Sequence, residues 1–369
     1  MGSGALFSIY KGKNDQDSLR SAIVHAFALI MAVTVLLNVL VYIGIDPILH
    51  FLRVPDEVWD GMKAYLLVIF AGIIATSLYN YFSCLLRALG NSTIPLVFLA
   101  VSAVLNIGLD LLFVAVLPWG IRGAALATVI AQYISGIGIT LYVLLKCRDL
   151  LPSGKDLHFN RQILDEIGNL SSITCIQQSV MNFGILMVQG LVNSFGPVIM
   201  AAFAAAVKID TFAYLPVQDF GNAYSTFIAQ NYGAGKKERI RKGTKESFLI
   251  SFLFCIVISA VVCIFAAPLM RIFVSAKETA VIASGVRYLR IEGAFYCGIG
   301  CLFLLYGYYR AVKKPGMSVI LTVISLGTRV ALAYILSAYI GETGIWIAIP
   351  IGWVFADITG LAYMKFQEK

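Results

Sequence analysis

The stretch AFALIMAVTVLLNVLVYIGI at 26–45 runs 20 residues without a charge, enough at about 1.5 Å of rise per residue to cross a bilayer's hydrocarbon layer of roughly 30 Å. Runs of this kind recur to the end of the chain, separated by short polar turns. No water-soluble core can bury so many, so the chain uses lipid as its solvent. With 59% hydrophobic and 13% charged residues and a mean hydropathy of +0.85, the composition says the same. In lipid every backbone group must be paired within its own segment, which selects helices for runs of this length. Spans are expected near 20–43, 60–86, 93–117, 120–145, 162–192, 197–230, 245–268, 281–309, 315–340 and 343–364, with a partial one at the start. The fold class is therefore an all-α polytopic membrane protein.

A net charge of +8 is not read as a nucleic-acid surface, because its positions alternate along the chain. Basic connections hold Lys11, Lys13 and Arg20; Arg87; Lys146, Arg148, Lys155 and Arg161; six basic residues at 236–245; Arg310, Lys313 and Lys314; and the tail. The intervening ones hold few, chiefly Arg53, Arg122, Arg271 and Lys277. Lys and Arg accumulate in cytoplasmic loops, so the first set and the C-terminus are assigned to the cytoplasm. No basic region precedes the apolar start MGSGALFSIY, so no cleavable signal is read there.

Sliding the sequence on itself reveals a duplication. QNYGAGKKER at 230–239 is echoed by YKGKNDQDSLR at 10–20. At a displacement of 221, Gly12 meets Gly233, Arg20 meets Arg241, Pro47 meets Pro268 and Gly123 meets Gly344, while Arg87 meets Arg310 at 223. Six spans separate Gly12 from Gly233, so both copies run the same way and form two pseudo-symmetric parallel six-helix bundles. The second copy has 72 residues between Arg161 and Gly233, the first only 11 before Gly12. The N-terminal bundle is thus expected to lack its first helix and most of its second, through a fragment or a misassigned start. The organisation is an N-terminal lobe at 1–146 (partial span two, spans three to six), a cytoplasmic inter-lobe loop at 147–161, and a C-terminal lobe at 162–369 (spans seven to twelve).

An ionisable residue in mid-bilayer costs about 2.5–3.5 kcal/mol on insertion scales, which makes each one a functional candidate. Asp110 follows Asn106 by one helical turn, so carboxylate and amide share a face. In the next span Thr128 and Gln132 repeat that spacing. Such hard oxygens suit a sodium ion, and a carboxylate can equally exchange a proton. At the same displacement Asn106, Asp110 and Thr128 meet Gly327, Ala331 and Ile349, so the second half lacks this set. Its own polar candidates, read as cavity lining, are Gln177, Gln178, Lys208, Asp210, Asp219, Asn222 and Glu292. Arg329 and Asp357 are read as partners between helices. The seven cysteines form no metal or disulfide pattern, and with three scattered histidines and no HExxH or GxSxG the chain is read as no enzyme and as needing no cofactor.

QNYGAGKKERIRKG at 230–243, RALGNSTIPL at 87–96, NIGLDLLFV at 106–114 and WGIRGAALATVIAQ at 119–132 together resemble the multidrug and toxic compound extrusion family, in its prokaryotic branch. The resemblance implies two bundles arranged in a V, a central cavity opening alternately to either side, and export of amphipathic, often cationic small molecules driven by Na+ or H+ entry. It also implies a monomer in the plasma membrane and a first-lobe cation site in which Asn106, Asp110 and Thr128 stand beside an aspartate of helix one. By the same resemblance Glu292 becomes the second-lobe carboxylate. Two alternatives are a lipid-linked oligosaccharide flippase of a related branch and a non-transporting fragment. The flippase needs a strongly cationic cavity, and the basic side chains read within the spans, Lys208 and Arg329, are too few for it.

Overall fold

The computed structural model describes residues 2–51, 54–148 and 159–367, and every regular element among them is helical. In chain order they are α1 (Gly2–Lys13), α2 (Gln16–Phe51), α3 (Asp56–Ala71), α4 (Ile73–Ala88), α5 (Thr93–Asp110) running on into a π-helical turn (Leu111–Val116), α6 (Gly120–Lys146) and α7 (Arg161–Asn193). Then follow α8 (Pro197–Gly233), α9 (Lys237–Phe273), α10 (Thr279–Gly293), α11 (Tyr296–Ala311), α12 (Pro315–Ile340) and α13 (Glu342–Gln367). Arg53, Lys155, His158, Lys369 and most of the predicted inter-lobe loop lie outside the described residues. Among those described, nine helical segments are long and apolar enough to span a membrane, with α3 and α4 counted as one, or ten with α10 and α11 also taken as one bent span. Their outward faces are apolar: Val33, Leu36, Leu40 and Ile43 of α2 follow helical spacing and are 45, 58, 55 and 77% exposed, a stripe that only lipid suits.

The duplication is visible in the backbone. Left-handed residues occur at Asn14 and Gly235, at Gly90 and Lys313, and at Gly120 and Gly341, each pair at the repeat displacement. Gly235 closes α8: its N–H reaches the Tyr232 carbonyl and that of Lys236 reaches Asn231, the two bonds that end a helix on a left-handed residue. The basic run after it, expected as a loop, forms the first turns of α9 instead. Lys, Glu and Arg are good helix formers, and Glu238 in the first turn offsets the positive charge there.

Two spans predicted as continuous are broken, again at matching places. The first breaks at Gly72 between α3 and α4, the second between Gly293 and Tyr296, where α10 and α11 meet at 52°. Carbonyls beside the first break find side-chain donors: Asn38 Nδ2 reaches the Phe70 carbonyl at 2.7 Å and Tyr133 Oη the Ala71 carbonyl at 2.9 Å. That pairing is what lets an interrupted helix persist in lipid.

Contacts group the chain into two units, Asn14–Ile167 and Met1–Lys13 with Gly168–Lys369. In the first, His25 of α2 accepts the Asn160 N–H at 3.0 Å, while the Asn160 side chain accepts the Ile163 N–H and so caps α7. In the second, α1 joins α8 although sequence order places it in the first half. The reason is reciprocal: a Cβ at Gly12 would fall on the Gln230 carbonyl, and one at Gly233 on the Ile9 carbonyl. Ile9 and Gln230 are themselves repeat equivalents, so two copies of one motif cross back to back through their glycines.

Candidate functional site

The first-half residues come from the last turn of α5 and the middle of α6. Asn106 Nδ2 donates to Thr128 Oγ1 at 3.4 Å, and the Thr128 hydroxyl donates to the Ala124 carbonyl at 3.1 Å. This leaves the Asn106 amide oxygen free to accept. Asp110, half-buried, has a fully buried carboxylate oxygen with no hydrogen-bond partner among the described residues, and Gln132 has an amide oxygen in the same condition. Gln132 is seated at the break between α3 and α4, occupying the space a Cβ at Gly72 would take. An orphaned buried acceptor costs about 1–3 kcal/mol, so the Asp110 oxygen is short of a positive partner. Gln132 stands apart from it, since Ser102 Oγ donates to the Ala131 carbonyl at 3.0 Å and so sets Gln132 two turns of α5 away from Asp110. The π-helical turn begins directly after Asp110, an irregularity that recurs at functional sites. Hard oxygens from Asp110, Asn106 and Thr128 can take an alkali cation, and the carboxyl alone can take a proton.

The second unit builds a different cluster from Asp210 of α8 and the broken α10–α11 span. Tyr288 Oη donates to Asp210 Oδ2 at 2.9 Å and Tyr296 Oη donates to Asp210 Oδ1, so both carboxylate oxygens are engaged. Glu292 lies in the last turn of α10, buried, within hydrogen-bond reach of Asp210, and Arg329 of α12 sets its charge beside both carboxyls. The bend puts Glu292 on one side and Tyr296 on the other. Tyr288 meets the buried Trp346 ring edge-on at 4.9 Å, and Trp346 stacks on Phe203 at 5.5 Å, which holds the phenol in place. A carboxyl pair lined by phenols and one guanidinium can hold and pass a proton or accept a cation.

Other candidates stand apart from these clusters. Gln177 is half-buried and Gln178 exposed on α7; Asp219 is exposed and Asn222 half-buried on α8. Lys208 is exposed and lies 6.0 Å over the Phe273 ring. Asp357 pairs with the Cys301 thiol rather than with a cation. Arg287 and Arg290 also belong among the basic residues of the spans, since α10 carries both; Arg287 is engaged by Glu342 at 3.0 Å and Thr343 at 3.3 Å. The residues sequence reasoning missed are Tyr288 and Tyr296. Their signal was the spacing Tyr288, Glu292, Tyr296, four and four, which aligns all three on one helical face.

The MatE family model matches residues 1–112 and 173–335, most of the chain. The chain belongs to this family. "Probable multidrug resistance protein YpnP" of Bacillus subtilis (strain 168) is 28% identical over 362 residues, which cover 98% of this chain and 80% of that protein. "Probable multidrug resistance protein NorM" of Thermotoga maritima is 25% identical over 382 residues, covering 100% and 81%. Among solved structures, the outward-facing conformation of a multidrug resistance MATE family transporter of the MOP superfamily superposes with a TM-score of 0.93 at 21% identity, covering 99% of this chain and 82% of that one. This chain thus has the MatE fold of a multi-pass membrane protein in a transporter family.

Proposed function

We propose that this MatE protein is a secondary active exporter of amphipathic, often cationic small molecules, moving them by alternating access in exchange for Na+ or H+. It works as a monomer in the plasma membrane with its C-terminus in the cytoplasm. The observation that carries the reading is the Asn106–Thr128 hydrogen bond across α5 and α6, with the unpartnered carboxylate oxygen of Asp110 one turn on. An incoming cation would be neutralised by Asp110 and coordinated by the Asn106 and Thr128 oxygens. Asp210 and Glu292 form the second ionisable station, with Tyr288 and Tyr296 fixing the Asp210 carboxylate and Arg329 balancing its charge. Relatives named for multidrug resistance support the export of drugs.

The test uses the chain reconstituted in vesicles loaded with a fluorescent organic cation, with an imposed Na+ or pH gradient. Efflux should follow one of the two gradients, and Asp110→Asn should abolish it. Should Na+ be the coupling ion, it should also raise the thermal stability of the wild type and not of the variant, since a ligand stabilises only the state that binds it. Gradient-driven efflux at the wild-type rate in Asp110→Asn would overturn the assignment.

A further inference from the structure

The first turns of α9 and the last turn of α13 enclose a groove of about 590 Å³ that the transport reading leaves unused. Its rim is Arg241, Lys242 and Lys245, with Glu238 as the one acidic group, and its floor is apolar: Phe248 from α9, Leu361 and Met364 from α13. Lys242 is drawn aside to Glu246 at 3.9 Å, whereas Arg241 and Lys245 have no ion pair among the described residues. Arg241, Lys245 and Phe248 follow one another by four and three, so they line a single face of α9. Phe248 therefore lies about 10 Å deeper than Arg241 at 1.5 Å per residue. Thr244 also lines the groove, its Oγ1 2.8 Å from Tyr224 Oη, and on the opposite side of the helix Gly243 lets α9 close onto Phe227. Another basic side chain stands close by, Lys314, 5.9 Å over the ring of Tyr363 next to Met364.

Two unpaired cations at headgroup level above an apolar floor fit a molecule with an anionic phosphate at one end and a hydrocarbon at the other. Basic pockets between helices at the cytoplasmic face bind anionic lipid headgroups for this reason. We propose that this groove binds an anionic glycerophospholipid of the adjoining leaflet, its phosphodiester on Arg241 and Lys245 and an acyl chain along Phe248 and Leu361. The lipid bridges α9 to α13 beside the turn that joins α8 to α9. The proposal does not depend on the coupling ion or on the exported compound.

The purified full chain in mild detergent is titrated with dioctanoyl phosphatidylglycerol, dioctanoyl phosphatidylcholine and glycerol phosphate, with Tm as the readout. Phosphatidylglycerol should raise Tm saturably and well beyond phosphatidylcholine, while glycerol phosphate, which lacks the chains, should not. The Arg241→Gln/Lys245→Gln variant should bind phosphatidylglycerol about thirtyfold more weakly, the factor two headgroup-level charges provide at low salt. Lys236→Gln/Lys237→Gln removes as much charge outside the groove and should leave the lipid response unchanged. Each variant's lipid-free Tm checks that it folds. Equal loss in the two variants, equal stabilisation by the two lipids, or a full effect from glycerol phosphate would each overturn the site.

Discussion

Alanine at Gly233 puts a methyl group onto the Ile9 carbonyl, and alanine at Gly12 puts one onto the Gln230 carbonyl. Both obstacles are helix backbone, which cannot rotate away as a side chain would. Carbon must retreat to ordinary contact at 3.4 Å or more, so α1 and α8 have to part by well over 1 Å at their crossing, and dispersion falls off steeply with such gaps. Overpacking of this kind costs about 1–3 kcal/mol. In a unit of about 200 residues that corresponds to a fall in Tm of about 2–12 °C. The two clashes belong to one crossing, so the separation forced by the first methyl makes room for the second. Gly12→Ala/Gly233→Ala should therefore cost less than the two single changes combined, with a coupling near 1 kcal/mol. Thermal unfolding of the purified chain in detergent measures all three. Gly327→Ala is the control, because a Cβ there meets nothing within 4 Å and alanine is the better helix former by about 1 kcal/mol. Its Tm should hold or rise. Strict additivity, or a Gly233→Ala protein as stable as wild type, would refute a tight glycine crossing.

Three other outcomes are expected. Glu292→Gln should slow gradient-driven efflux less than Asp110→Asn does, and neither should shift Tm by more than about 2 °C, since an amide keeps the size and hydrogen-bonding ability of the acid and interhelical hydrogen bonds in membranes average only about 0.6 kcal/mol. Tyr296→Phe removes one of the two phenol donors to Asp210 and leaves a buried carboxylate oxygen short of a partner, at a cost of about 1–3 kcal/mol; an unchanged Tm would contradict that geometry. A cysteine at Lys237, in a chain freed of its other thiols, should react with a membrane-impermeant maleimide in everted vesicles and not in intact cells; labelling of intact cells would reverse the topology.

What could be read from the sequence were features with a short period or a fixed displacement. Span number follows from the apolar runs, the repeat from Gly12 against Gly233, and the Asn106–Asp110 face from a spacing of four. The breaks at Gly72 and Gly293 were not readable, because a glycine inside a helix costs only about 1 kcal/mol and many uninterrupted helices contain one. What makes Gly72 a break is its surroundings: Gln132 fills its Cβ space, and Tyr133 and Asn38 accompany the carbonyls beside it. Asp210 could be flagged as ionisable, but its meeting with Tyr288 and Tyr296, 78 and 86 residues away, is a property of how α8 packs on α10 and α11. The basic run at 236–245 misled for the opposite reason. Charge assigned it to a loop, whereas Lys and Arg extend a helix readily once its apolar part is fixed in the membrane.

The two halves share backbone and differ in chemistry. Left-handed turns and broken spans occur in both, and each copy supplies one glycine to the α1–α8 crossing, because each feature sets the path of a helix and a duplicated scaffold needs the same path twice. The ionisable clusters do not repeat. Asn106, Asp110 and Thr128 face Gly327, Ala331 and Ile349 across the duplication, while Tyr288, Glu292 and Arg329 face Leu67, Ala71 and Gly108. A buried charge adds cost wherever it is placed, about 2.5–3.5 kcal/mol on insertion scales, and contributes nothing to the helix path, so it persists only where its chemistry is used. Each cluster also lies against an irregularity of its own half, the π-helical turn after Asp110 and the 52° bend beside Glu292. At such places the backbone departs from the regular helix, and the site chemistry has been added to only one half at each. Neutralising Asp110 and neutralising Glu292 should therefore perturb different helices, and in thermal unfolding the Tm shift of a variant carrying both changes should equal the sum of the two single shifts; a coupled shift would contradict two separate clusters.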